Sequence, residues 1–154
     1  MEIRFMEERD LDQVTALEAA CFSQPWKRND FEDILTNPDR FYMVAADGDV
    51  IAGGCMLSCI CGEGDISNVA VLEAYRNRHI ATELLREMLR FGTGQMGLVA
   101  YTLEVRQQNL AAQGLYKKLG FVSEGVRPNF YDFPKDHAVI MWKRDVNEKE
   151  ENEC

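Results

Sequence analysis

The sequence has no CxxC pair, and its 5 cysteines are an odd number, Cys21, Cys55, Cys59, Cys61 and Cys154. That excludes a simple disulfide framework and fits reduced thiols in a cytosol. Cys59-Ile60-Cys61 is half a metal site at most. No second cluster follows it and the chain holds only 2 histidines, so no metal is expected. Basic residues are also scarce: 17 Lys and Arg stand against 26 Asp and Glu, a formal net charge of −9. A nucleic-acid duplex needs a basic face, so nucleic acid is not expected as a ligand, whereas a basic partner would be attracted. Long apolar runs are missing. The uncharged stretch 50–61 is too short to cross a bilayer and contains two glycines, and residues 1–8 show no basic region leading into an apolar run. Neither a membrane segment nor a secretion signal is expected, and the expected location is cytoplasmic.

What remains is an ordinary globular composition, 46% hydrophobic and 28% charged over 154 residues, enough for one domain with a sizeable core. No repeat, linker or low-complexity segment divides it. One domain is expected over residues 1–146, followed by an acidic tail over 147–154 that is either solvated surface or a docking segment. Oligomeric state is not legible.

The alternation of Ile3 and Phe5 predicts a strand over 2–6. Asp10 with Gln13 three residues on forms a capping-box pattern, and Leu11, Val14, Leu17, Cys21 and Phe22 keep helical spacing. A second helix runs from about Asn29 to the stop at Asn37-Pro38. Residues 41–46, the turn Asp47-Gly48-Asp49 and residues 50–61 form a hairpin, and Gly62-Glu63-Gly64 turns the chain into a strand over 65–72. A helix follows over 80–91, then a loop at Gly92, Gly94 and Gly97, and a strand over 98–105. Asn109 caps a helix over 110–119 that Gly120 stops. Strands over 121–126 and 138–143 close the chain, joined by a loop over 127–137. The fold class is α+β, with helices covering a mixed, mostly antiparallel sheet.

The organising stretch is residues 67–85. Val69, Ala70 and Val71 make a short buried strand, residues 76–81 turn, and a helix opens whose Ile80, Leu84, Leu85, Met88 and Leu89 share one face. Such a helix start presents unpaired N–H groups and the positive end of the dipole, a seat for phosphate, with Arg76 and Arg78 beside it. Two further residues stand out. Glu104 lies near the end of an apolar strand, an unusual place for a carboxylate unless it is paired, for example with Arg106, or functional. Tyr116 sits at helical spacing with Leu119, which by pattern alone is a packing position.

Three stretches together resemble the GNAT N-acetyltransferases: Asn68-Val69-Ala70-Val71 with Arg76-Asn77-Arg78-His79-Ile80-Ala81; Leu103-Glu104-Val105-Arg106 through Asn109; and Leu115-Tyr116-Lys117-Lys118-Leu119-Gly120-Phe121. More narrowly, Leu103-Glu104-Val105-Arg106, Asn109, Asn129-Phe130-Tyr131 and Pro25-Trp26 resemble the RimI-type ribosomal-protein alanine N-acetyltransferases. The resemblance implies the GNAT fold and transfer of acetyl from acetyl-CoA to a protein N-terminus, most narrowly the N-terminal alanine of ribosomal protein S18. It implies that Val69, Ala70 and Val71 hold the pantetheine arm, that Asn77, Arg78, His79, Ile80, Ala81 and Thr82 hold the pyrophosphate, and that Asn109 touches the coenzyme as well as capping its helix. It makes Glu104 the general base and Tyr116 the general acid. It places Trp26, Asn129 and Tyr131 along the path of the amine. One position departs from the pattern: the family's loop glycine is His79 here, which presents its N–H and meets a phosphate with its ring, crowds the loop with its Cβ, or serves as a catalytic base. An acetyltransferase of a small-molecule amine and a non-catalytic acyl-CoA-binding module are the alternatives.

Overall fold

The computed structural model describes residues 1–144, so the acidic segment 147–154 lies outside the described residues. The chain forms two compact units. The first comprises Met1–Ser58 and Ile66–Arg90; the second comprises Cys59–Asp65 and, of the described residues, 91–144.

In the first unit β1 (Glu2–Phe5), β2 (Arg40–Asp47), β3 (Val50–Ile60, up to Ser58) and β4 (Glu63–Val71, from Ile66) stand in the order β1-β2-β3-β4. β1 runs antiparallel to β2, with Ile3 opposite Ala45, and β2 antiparallel to β3, with Asp47 opposite Val50 across the hairpin. Gly48 holds φ +57 at that turn, where the Asp-Gly pair had placed it. Helices α1 (Leu11–Cys21) and α2 (Arg28–Ile34) supply Leu11, Val14, Leu17, Phe31 and Ile34 to a core with Tyr42, Val44, Ile51, Met56 and Ala70. α3 (Ile80–Gly94) buries Ile80, Leu84, Leu85 and Met88 as their spacing requires.

The start of α1 differs from expectation. Asp10 makes no side-chain cap for this helix and Gln13 does not reach back to it. Asp10 is buried and takes a bidentate pair from Arg4, at 2.6 and 2.9 Å, together with the Glu7 N–H at 2.8 Å. Gln13 instead bridges the hairpin turn, donating to the Asp49 carbonyl and accepting from the Ile51 N–H.

The second unit orders its strands β5-β7-β6, where β5 is Ala100–Arg106, β6 Val122–Tyr131 and β7 Asp136–Lys143. Both pairings are antiparallel, with Glu104 opposite Ile140 and Val126 opposite Val139. α4 (Leu110–Lys118) starts as expected, the Asn109 Oδ1 accepting from the Ala112 N–H at 3.1 Å, and Gly120 follows it at φ +98. Two expectations fail here. Gly92 and Gly94 belong to α3 and not to a loop: a Cβ on Gly92 would stand 2.4 Å from the Tyr101 hydroxyl, so this glycine serves close packing. The final loop is far shorter than 127–137, because β6 runs on through Tyr131 after a register shift between Arg127 and Tyr131. The class is α+β, as expected. Among the described residues no helix is long and apolar enough to cross a membrane, and no group of His, Cys, Asp and Glu is placed to hold a metal ion.

Candidate active site

The residues expected to seat the coenzyme, 69–71 and 77–82, lie in the first unit. β4 ends at Val71, and the turn that follows reaches α3 through residues in the left-handed region: Asn77 at φ +65 and His79 at φ +61. Glycine adopts that conformation at no cost, and asparagine and histidine are among the few other residues that tolerate it. His79 thus holds a backbone conformation that glycine would also adopt. Asn77, Arg78 and His79 are exposed, Ala81 and Thr82 are half-buried, and Ile80 is buried as the first apolar anchor of α3. The His79 carbonyl already accepts the Glu83 N–H, while the first N–H groups of a helix have no partner within it. Arg78 stacks on the Tyr75 ring at 5.3 Å, which holds that cation beside the turn. These features fit a phosphate group held by main-chain donors.

The main chain at the strand end is held by side-chain and backbone partners. The Val71 carbonyl accepts from Arg76 Nε at 3.1 Å and from the Cys21 thiol at 3.5 Å, and the Leu72 N–H donates to the Ala52 carbonyl at 2.8 Å. Val69 and Val71 are half-buried and Ala70 is buried. Trp26 packs on Phe31 with ring centroids 5.6 Å apart, and the Arg40 guanidinium lies 5.0 Å over its ring. Trp26, Asp30, Asp33 and Arg40 line a cavity of about 260 Å³.

In the second unit the Glu104 side chain is 29% exposed, and its Oε1 pairs with Arg127 Nη1 at 3.5 Å. Its other oxygen, Oε2, is buried with no hydrogen-bond partner among the described residues. Arg106, one of the cations that could have paired with Glu104, is engaged elsewhere. It donates to the Pro134 and Asp132 carbonyls and covers the Tyr131 ring at 4.4 Å. Burial and then the Glu104 charge push the Tyr131 phenol up, and partial desolvation and then Glu104 do the same for the carboxyl of Asp65. Glu104, Tyr131 and Asp65 thus form one electrostatic neighbourhood. Asn129 takes φ +53 within β6, and its N–H donates to His137 Nδ1 at 3.0 Å, which places any proton of the neutral imidazole on Nε2. Tyr116 is buried on α4 against Phe121, ring centroids 6.1 Å apart.

Arg127, Asp65 and His137 were not singled out from sequence. Arg127 and His137 lay in what read as a loop, and Asp65 in what read as an ordinary strand start. Glu18 was missed too, although it stands one residue after Leu17 on the face of α1 that carries Val14 and Cys21, a carboxylate at an apolar position.

Residues 11–121 match the Acetyltransferase (GNAT) family. The chain is 34% identical over 138 residues to the N-alpha-acetyltransferase RimI of Mycobacterium tuberculosis, covering 86% of this chain and 85% of that one. It is 29% identical over 139 residues to the [ribosomal protein bS18]-alanine N-acetyltransferase of Haemophilus ducreyi, covering 87% and 93%. The crystal structure of the ribosomal-protein-S18-alanine N-acetyltransferase from Escherichia coli superposes with a TM-score of 0.84 at 24% identity, covering 94% and 93%. The fold is the acyl-CoA N-acyltransferase fold, and the chain belongs to the GNAT family of acetyltransferases, with RimI-type enzymes among its relatives.

Proposed function

We propose that this protein moves an acetyl group from acetyl-CoA to the N-terminal α-amine of a protein, with the N-terminal alanine of ribosomal protein S18 as its substrate in the cytoplasm. The observation that carries the reading is the orphaned Glu104 Oε2. A buried acceptor without a donor is costly, and an incoming amine is a donor. The α-amine has a pKa of about 8, so a nearby carboxylate needs to take its proton only as the nitrogen attacks. The N–C bond forms as the C–S bond breaks; the amine proton passes to Glu104 directly or through a water, and the Tyr116 phenol gives its hydrogen to the departing thiolate. Main chain at Val69, Ala70 and Val71 holds the thioester arm, residues 77–82 hold the pyrophosphate with Asn109 on the arm, and Trp26, Asn129 and Tyr131 guide the peptide.

Transfer is direct. Cys55 is fully buried and burial pushes its thiol up to about 12, so it carries no thiolate at neutral pH to accept the acetyl group. The test is release of coenzyme A thiol in the presence of acetyl-CoA and peptides that begin with alanine or with other residues. Release with alanine-first peptides supports the reading. Release only with small amines favours a small-molecule acceptor, and binding of acetyl-CoA with no release on any amine favours a non-catalytic module.

A further inference from the structure

Helix α1 attaches to β4 at two points three residues apart on each element. Glu18 accepts a hydrogen bond from Asn68 Nδ2, and the Cys21 thiol donates to the Val71 carbonyl. Residues 18 and 21 share one helix face. Residues 68 and 71 bracket Val69 and Ala70. On the β3 side the Ala70 carbonyl is packed so tightly that a Cβ on Gly53 would come within 2.9 Å of it. The end of β4 is thus braced by α1 at its two ends and by β3 between them.

Asn68 holds φ +54 within a strand, where backbone otherwise stays at negative φ. Asparagine tolerates the left-handed region better than most residues, and inside a strand such a kink persists where the surroundings hold it. The enforcing group is itself expensive. Glu18 is 1% exposed, and its Oε2 has no hydrogen-bond partner among the described residues. Its charge also helps burial push up the phenol of Tyr42, whose hydroxyl is likewise buried with no hydrogen-bond partner among the described residues. Burial pushes the Glu18 carboxyl up to about 7, against the pull of the Asn68 hydrogen bond. An apolar side chain would fill this place at lower cost, so the carboxylate is not there for stability.

We propose that Glu18 is a positioning residue for acetyl transfer: through Asn68 it holds the left-handed kink that orients the main chain of Val69, Ala70 and Val71. The proposal rests on the reading that this main chain holds the thioester arm. Glu18 touches no reacting atom; it acts on the aim of the strand.

Glu18→Leu removes the acceptor, Glu18→Gln keeps one, and Asn68→Gly removes the held side chain at a φ that glycine adopts freely. The readouts are kcat and the KM for acetyl-CoA per folded enzyme, and amide hydrogen exchange of residues 69–72 in the unliganded protein. Glu18→Leu is expected to lower kcat tenfold or more with the KM changed less than threefold, and to speed exchange at least tenfold. Glu18→Gln is expected to stay within threefold of the parent. The double variant Glu18→Leu/Asn68→Gly is expected to be no slower than the worse single variant. A parental kcat in folded Glu18→Leu overturns the proposal, as does a Glu18→Gln as slow as Glu18→Leu. If Glu18→Leu does not fold, Asn68→Gly decides: parental kcat and parental exchange overturn the proposal. If the parent protein acetylates no amine, the functional reading fails by itself, and exchange at 69–72 still decides the latch.

Discussion

Arg127 Nη1 stands 3.5 Å from Glu104 Oε1 and leaves the second carboxylate oxygen to the interior. The pair divides the carboxylate into an occupied oxygen and an orphaned one. Arg127 is 53% exposed, so solvent screens the pair and its contribution to stability is small, about 0–1 kcal/mol. Arg127→Ala is therefore expected to lower the Tm by roughly 3 °C or less. Because the guanidinium and a peptide amine compete for one carboxylate, the peptide KM of Arg127→Ala should fall. A rise in KM would show that Arg127 helps to seat the peptide.

Tyr116→Phe keeps the buried ring against Phe121 and removes only the hydroxyl. A general acid contributes about 10²–10⁴-fold, so kcat should fall by that order while the affinity for acetyl-CoA, measured by calorimetry, changes little. Parental turnover would remove Tyr116 from the chemistry and leave it a packing residue.

His79 contributes its backbone at φ +61, which glycine reaches without the roughly 1 kcal/mol strain of a Cβ. His79→Gly should keep the acetyl-CoA KM within about threefold while leaving the Tm unchanged or higher. A tenfold loss of affinity would mean that the imidazole itself meets the phosphates.

Glu18 links stability to pH. Its carboxyl is raised from 4.5 to about 7 in the folded protein, so the folded state keeps a proton that the unfolded chain has released. The stability this proton provides is full below pH 4.5 and is lost as pH rises to 7. Glu18→Gln does not titrate. Its unfolding free energy, measured with urea, should therefore gain on the parent by at most about 3 kcal/mol between those pH values and then hold level. A constant difference across the range would contradict the burial of the charge.

Asp10 responds in the opposite direction. Burial pushes its carboxyl up, but the hydrogen bonds from Arg4 and the Glu7 N–H outweigh this and leave it lowered. Its contribution is present above the usual carboxylate pKa and is lost as pH falls through the lowered value. Asp10→Ala leaves the Arg4 guanidinium without its bidentate partner and should cost about 3 kcal/mol at neutral pH, with a smaller cost in acid.

Some features were legible because they are local. The turn at Asp47-Gly48-Asp49, the Asn109 cap and the buried stripe of α3 each depend on a few adjacent residues and on helical or strand periodicity, and each is found where the pattern put it. The motifs at 68–81, 103–109 and 115–121 carried the family for the same reason. Other features were decided only by distant parts of the chain. Asp10 is claimed by Arg4, Gln13 by the turn at Asp49 and Ile51, and Gly92 by Tyr101, and no local pattern names these partners. Glu18 and Asn68 are 50 residues apart and meet only because α1 packs on β4. Short-range spacing fixed most of the elements, and the motifs carried the resemblance to the family. Which polar groups pair, which backbone is bent and which carboxylate oxygen is left bare depend on long-range packing, because burial gives a polar group its cost and packing supplies the partner that offsets it.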